Sequence, residues 1–305
     1  LLDPRLLDLT RHDCERVYAG HRGGRQADGP RNRQDELNAR LVSEARAGRC
    51  VVRLKGGDPY IFGRGGEEAI ALGDAGIRFE VVSGVSAASG VLAYAGIPLT
   101  HRNVAVTATL VTGHESPERD EPGVDWAALA QLQGTLVVFM ASRRLTAITE
   151  ALTAGGRSAN TPAAAIQWGT WPGQRAVVAT LETLAQRADD DGITSPALIV
   201  VGEVIDLRQT LNWFEGKPLF GRRVLITRSR EQAGPLRLLL ESEGAEVHSL
   251  PLLEIAPPDD WRAVDAAIAR LSDFAWVAFT SPNSVSYFFD RLRHVGHDAR
   301  TFGSA

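Results

Sequence analysis

The sequence predicts an α/β protein, and three observations carry that prediction. Short apolar runs rich in Val, Ile and Leu alternate with stretches whose apolar residues recur at helical spacing. Glycine clusters close most of the apolar runs, as at the strand–turn–helix junctions of an open sheet. The same alternation starts afresh after a Gly- and Pro-bearing stretch at residues 215–220, so 305 residues divide into more than one domain. Hydrophobic residues at 44% and charged residues at 23% are those of a soluble globular protein. A net charge of -4 offers no basic face for nucleic acid, and no apolar run reaches the length of a membrane span. No signal-peptide pattern precedes the first domain. Cys14 and Cys50 form no CxxC, and the 7 histidines show no HExxH. His294 and His297 share a helical spacing near an expected helix end, where capping accounts for them. The expectation is a reduced, cytoplasmic, metal-free protein without nucleic-acid or membrane partners.

Taken in order, residues 1–18 are expected to form a short helix and then a strand, with Leu2, Leu6, Leu7 and Leu9 supplying apolar surface. Gly20-His21-Arg22-Gly23-Gly24-Arg25, with Arg31 and Arg33 and only Asp28 opposing, is a local basic patch. It is either a solvated loop or a place where guanidiniums meet an anionic substrate. Residues 34–47 carry Leu37 and Leu41 one turn apart and stop at Gly48, an amphipathic helix.

Cys50 to Glu68, CVVRLKGGDPYIFGRGGEE, is the most informative stretch. Val51, Val52 and Leu54 read as a buried strand. Gly56-Gly57-Asp58-Pro59 ends it in a turn whose backbone can approach a ligand closely. Asp58 is placed to accept hydrogen bonds from ribose hydroxyls or an amino group; a tight turn capped by Asp58 is the plain alternative. Gly63, Gly65 and Gly66 lead into Glu67 and Glu68, whose charges suit the first turn of a helix expected to end at Ala75. No GxGxxG opens that helix and no Gly-Lys-Ser/Thr follows, which excludes dinucleotide-fingerprint and P-loop readings.

Residues 78–82 read as a strand leading into the small-residue run Ser83 to Gly90, suited to close approach by a helix N-terminus. Residues 104–112 read as a half-exposed strand ending at Gly113-His114. Asp125 should cap a helix through Leu132, residues 135–140 should form a buried strand, and Ser142 should cap a helix to Ala154. Strands are expected at 163–168, ending in Gly169-Thr170, and at 197–201, followed by a tail at 211–214. Beyond 215–220, strands are expected at 224–227, 247–252 and 276–280, and helices at 232–243, 260–271 and from about Pro282. Thr280 and Ser281, at a strand end beside a helix N-terminus, suit an anionic carboxylate, and simple helix capping accounts for them equally.

RLKGGDPYIFGRGGEE (53–68) and AGIPLTHR (95–102) closely resemble the signature of uroporphyrinogen-III C-methyltransferases, tetrapyrrole methylases that use S-adenosylmethionine. VLITR (224–228), SEGAEV (242–247) and AFTSPNSV (278–285) are similar, more loosely, to the N-terminal part of uroporphyrinogen-III synthase. The resemblance implies a two-subdomain tetrapyrrole methylase fold over residues 1–214, with subdomains at about 1–102 and 103–214. It further implies a linker at 215–220 and a partial synthase-like α/β domain at 221–305. The implied reaction moves methyl groups from S-adenosylmethionine to two pyrrole carbons of uroporphyrinogen III, giving precorrin-2 and S-adenosylhomocysteine on the way to sirohaem or cobalamin.

Carried over residue by residue, Gly56, Gly57, Asp58, Ile61, Ser86, Ala87, Met140 and Gly169 would hold the methyl donor. Ser86-Ala87 matches the family's Thr-Ala, Met140 lies in Met-Ala-Ser for Met-Gly-Leu, and Gly169 in Trp-Gly-Thr for Asn-Gly-Thr. His21 stands at the Lys of the family's VGKRAG and would relay a proton. Arg22 and Arg25 would meet substrate carboxylates, as Thr280 and Ser281 would in the synthase part. A homodimer is implied. The family's opening strand, its GxGPGDP loop and an acid/base Asp are expected upstream of Leu1. The chain therefore reads as a piece of a longer polypeptide, impaired alone and without synthase activity. A methylase acting on a later precorrin, and a non-catalytic tetrapyrrole- or nucleotide-binding relative, share these features.

Overall fold

The computed structural model describes residues 3–19, 30–113, 123–228, 230–252 and 255–303. The chain forms two compact units, Leu1–Arg222 with Glu243–Glu246, and Arg223–Ser242 with Val247–Ala305. In the first, α1 (Pro30–Arg46), α2 (Gly65–Asp74) and α3 (Ala87–Tyr94) precede β1 (Ala108–Thr112), α4 (Trp126–Gln131) and β2 (Thr135–Phe139). There follow α5 (Leu145–Ala154), β3 (Pro162–Gln167), β4 (Arg175–Thr180), α6 (Leu184–Asp190), β5 (Ala197–Val201) and α7 (Arg208–Leu211). These strands make one five-stranded sheet in the order β1-β2-β5-β3-β4.

β1 and β2 are parallel, and β5 runs antiparallel to both β2 and β3. β1, β2 and β3 therefore point the same way, and their carboxyl ends, Thr112, Phe139 and Gln167, lie at one end of the sheet. The two-residue period of a strand sends alternate side chains to opposite faces. Leu136, Val138, Ala163, Ala165, Ile199 and Val201 pack with Ala130, Ile148, Leu152 and Leu184 from α4, α5 and α6. Val137, Ala164, Ile166, Leu198 and Val200 pack with Ala88 and Leu92 of α3 and with Ile205. Coverage of both faces is why these strands read as unbroken apolar runs. Asp125 caps α4, accepting from the Ala128 amide at 2.9 Å, as its position predicts.

Several expectations are corrected. Residues 3–18 hold a 3-10 turn at Pro4–Leu9 and no strand. Segments 51–54, 78–82 and 276–280 are not strands, because none finds a ladder partner among the described residues. β1 begins only at Ala108, since His101 and Ala105 exchange backbone hydrogen bonds in a tight turn upstream. Ser142 does not cap α5: it opens a 3-10 turn, and its hydroxyl pairs with that of Ser195 at 2.6 Å. β4 and α6 escape the sequence reading because β4 is an edge strand of mixed burial and α6 a short helix ending in Asp189-Asp190.

The second unit contains β6 (Arg223–Ile226), α8 (Arg230–Ser242), β7 (Glu246–Ser249) from Val247 onward, α9 (Arg262–Ile268) and α10 (Pro282–His294), with β6 and β7 paired. Pro282 opens α10 behind a reciprocal Ser281–Ser284 capping box. Arg291 of α10 donates twice to Asp265 of α9, at 2.7 and 2.6 Å, and lies over the Trp261 ring. Phe279, Phe288, Phe289 and Phe302 form the unit's aromatic cluster. Among the described residues no helix is long and apolar enough to cross a membrane.

Candidate functional site

The turn after Leu54 is built around Asp58. Its Oδ1 accepts from the Tyr60 amide at 2.9 Å and its Oδ2 from the Gly84 amide at 3.1 Å. One carboxylate thus closes its own turn and ties it to the loop before α3. The approach is close: a Cβ on Gly84 would lie 2.3 Å from the Gly57 carbonyl oxygen, so only glycine fits there. Gly57 itself has φ 86° and lies against Val85 and Ser86. Ser86 caps α3, its Oγ accepting from the Ala88 amide at 3.3 Å. Gly56, Gly57 and Asp58 are therefore joined to Ser86 and Ala87.

The same loop then reaches the carboxyl end of the sheet. Past half-buried Ile61, the Phe62 ring lies 4.9 Å from the ring of Phe139, the last residue of β2. Met140 follows directly and is exposed. At the end of β3, Gly169 sits on α3 so tightly that a Cβ would come within 2.4 Å of Val91. Phe62, Arg64, Met140, Trp168 and Thr170 all have φ between 52° and 72°. Among the described residues they are the only non-glycine residues in the left-handed region, and all lie on these three turns. Each such residue costs about 1–3 kcal/mol and persists only where its surroundings over-determine it. Left-handed residues of this kind cluster at active sites and ligand clamps, and open α/β sheets take ligands in the crevice outside the carboxyl ends of their strands.

Glu67 and Glu68, read alike as charges for the first turn of α2, behave differently. Glu67 is exposed and takes both prongs of Arg64, at 2.8 and 2.7 Å. That hydrogen bonding holds its carboxyl below the ordinary value of 4.5 and raises the Arg64 guanidinium above its own. Glu68 is buried and receives Lys55 Nζ at 2.7 Å, Arg53 Nε at 3.2 Å and Gln34 Nε2 at 3.3 Å. Lys55 and Arg53 flank Leu54, so Glu68 pins the chain entering the glycine turn to α2. The sequence offered only the run Gly-Gly-Glu-Glu, with no sign of which acid turns inward.

The chemistry of this crevice suits an adenosyl sulfonium donor. Asp58 keeps lone pairs free for an amino group or hydroxyls, and exposed Val85, Phe62 and Trp168 offer apolar surface for a base. His21, Arg22 and Arg25 lie outside the described residues. Thr280 and Ser281 lie in the second unit, both exposed, and the Ser281 hydroxyl is engaged in the capping box of α10. Buried Gln174, hydrogen-bonded to the Thr170 amide, went unread in the sequence, and its partner Glu215 was read only as the first residue of the linker.

The chain is similar to several known proteins. The chain is 38% identical over 305 residues to a uroporphyrinogen-III C-methyltransferase of Bacillus subtilis, covering 98% of this chain and 60% of that protein. It is 48% identical over 214 residues to a siroheme synthase of Chromobacterium violaceum, covering 70% of this chain and 44% of the other. It thus spans no more than about three-fifths of the length of these relatives. The crystal structure of Thermus thermophilus uroporphyrin-III C-methyl transferase complexed with S-adenyl homocysteine is similar with a TM-score of 0.50 at 38% identity, over 57% of this chain and 75% of that one. Residues 235–305 match the family described as Uroporphyrinogen-III synthase HemD. Residues 2–185 match the Tetrapyrrole (Corrin/Porphyrin) Methylases, and the chain belongs to that family.

Proposed function

We propose that this chain carries the methyl-transferring part of an enzyme that uses S-adenosylmethionine to C-methylate uroporphyrinogen III to precorrin-2, joined to a uroporphyrinogen-III synthase-like part. The observation that carries the proposal is the convergence of the Gly56–Asp58 turn, the start of α3, Met140 and Gly169 at the carboxyl end of the sheet. The donor supplies a methyl on a sulfonium sulfur, already electrophilic, so the protein's task is alignment. Asp58 would accept from the donor's amino group or hydroxyls, and Gly56 and Gly57 would let backbone approach it. Ile61, Ser86, Ala87, Met140 and Gly169 would line the remaining walls. His21 would relay the proton released after methylation, and Arg22 and Arg25 would meet the substrate's carboxylates. Thr280 and Ser281 would serve the synthase-like part in the same way.

The division into a methylase part at residues 1–214, a linker at 215–220 and a synthase-like part at 221–305 belongs to this proposal, as do a homodimeric state and a cytoplasmic location. The relatives named uroporphyrinogen-III C-methyltransferase and siroheme synthase favour uroporphyrinogen III over a later precorrin as acceptor. Calorimetric titration of the purified chain with S-adenosylhomocysteine tests the donor site. Binding is expected in the parent, weakened about tenfold or more in Asp58→Ala, a loss of about 1.4 kcal/mol or greater. A folded parent that neither releases heat nor shifts its melting temperature with this ligand contradicts the proposal.

A further inference from the structure

Gln174 lies in none of the signature motifs, is only 4% exposed, and has every polar group of its side chain engaged. Its Oε1 accepts from the Thr170 amide at 2.9 Å. Its Nε2 donates to the Tyr94 carbonyl at 3.2 Å and to Glu215 Oε1 at 2.9 Å. The partners fix the orientation of the amide: a backbone N–H only donates, while a carbonyl and a carboxylate only accept.

Glu215 is itself held. Its Oε2 receives Arg208 Nη2 at 2.5 Å and Asn212 Nδ2 at 3.3 Å. Arg208 also donates to the Ala95 carbonyl, and Trp213 Nε1 donates to that of Ala93 at 3.1 Å. Three successive carbonyls at the end of α3, those of Ala93, Tyr94 and Ala95, thus each meet a side chain from Gln174 or from the strap of residues 208–215. Helix α3 carries Ser86-Ala87 at its other end and Val91, against which Gly169 lies, between them.

We propose that Gln174, anchored by Glu215, is a positioning residue that ties the turn Trp168-Gly169-Thr170 to helix α3 and so fixes two walls of the donor site relative to one another. The inference rests on the donor-site reading above. Trp168 and Thr170 hold left-handed backbone on either side of Gly169, a conformation that relaxes unless the surroundings over-determine it. Gln174 supplies that constraint through the Thr170 amide. The helix on which Gly169 rests is gripped by the same side chain.

The test is calorimetric binding of S-adenosylhomocysteine together with hydrogen exchange at the Thr170 amide, on the full chain. In Gln174→Leu, which keeps volume and removes all three hydrogen bonds, affinity should fall about tenfold or more, and Thr170 exchange should quicken at least as much. Glu215→Asp, which keeps the charge and both acceptor oxygens that Gln174, Arg208 and Asn212 donate to, should retain more of the affinity that Glu215→Ala loses. This conservative rescue also carries the test if Gln174→Leu fails to fold, and equal affinities in the two Glu215 variants overturn the proposal. A folded Gln174→Leu chain that binds within about twofold of the parent, or exchanges Thr170 at the parent's rate, also overturns it and leaves the donor-site reading intact. A parent that protects Thr170 yet binds no S-adenosylhomocysteine defeats the donor-site reading, and the positioning role falls with it.

Discussion

Two regions of the first unit have nearly the same apolar sequence and opposite fates. Thr-Leu-Val-Val-Phe at 135–139 is the sheet's second strand, with Val137 and Val138 wholly buried. Val-Val-Arg-Leu at 51–54 and Phe-Glu-Val-Val at 79–82 stay out of any sheet, with Val52 81% and Val82 83% exposed. β2 has a parallel neighbour on one side and an antiparallel neighbour on the other, with helices over both faces. The other two segments have no ladder partner among the described residues. Apolar character says where a strand would be at home; a strand exists only where a second backbone meets its amides and carbonyls. The turns leaving the two regions nevertheless meet, Phe62 against Phe139. The crevice is therefore assembled from one side held by a finished sheet and one side held by polar ties.

If that is right, the polar side should be the more sensitive to loss of a single group. Glu68→Ala strands the Lys55 ammonium, whose side chain is only 10% exposed, and removes the partner of Arg53. Breaking a buried ion pair from one side costs about 3–5 kcal/mol. A urea titration should show that loss, along with weakened S-adenosylhomocysteine binding. Next comes the finished side: Leu152→Ala on α5, at a fully buried position, should cost about 2–5 kcal/mol, read as a lower urea midpoint. At the exposed segments, Val52→Ser and Val82→Ser should each change stability by no more than about 0.5 kcal/mol. Costs there matching that of Leu152→Ala would mean that another backbone or chain covers these segments in solution, and the contrast would dissolve.

The same contrast explains what could be read from the sequence. Residues 135–139, 162–167 and 197–201 were legible because covering both faces demands unbroken apolar runs. Asp58, Met140 and Gly169 were legible through the family signature and stand on turns that meet. The expected strands at 51–54, 78–82 and 276–280 failed because periodicity carries no information about a partner. Gln174, and the tie to it that makes Glu215 more than a linker residue, were invisible for a related reason. Their meaning lies in contacts with Thr170 and Tyr94, and the span from Tyr94 to Gln174 is 80 residues. Glu68 differs from Glu67 only in which way it faces around α2. The registration of that helix against Lys55 decides this, and composition does not.

The Arg64–Glu67 pair, exposed where the loop enters α2, should give a small effect with a defined pH signature. Arg64 holds the Glu67 carboxyl below its ordinary 4.5. A carboxylate whose folded value is depressed stabilises the folded state fully above its unfolded value and loses that contribution as pH falls through the folded one. The pair's stabilisation should therefore be constant at pH 6 and above, and fade on acidification below about 4.5. Both side chains face solvent, so screening keeps the worth of the pair at about 0.2–1 kcal/mol, typical of an exposed ion pair. Glu67→Gln removes the charge without removing the side chain. Its urea midpoint should lie below the parent's at pH 6 and converge on it as the pH falls through the parent's depressed folded value, where the parent's carboxyl is itself protonated. An offset that persists unchanged at the lower pH would mean that Glu67 steadies the loop by packing and not by its charge. The polar side of the crevice would then rest on Glu68 and Asp58 alone.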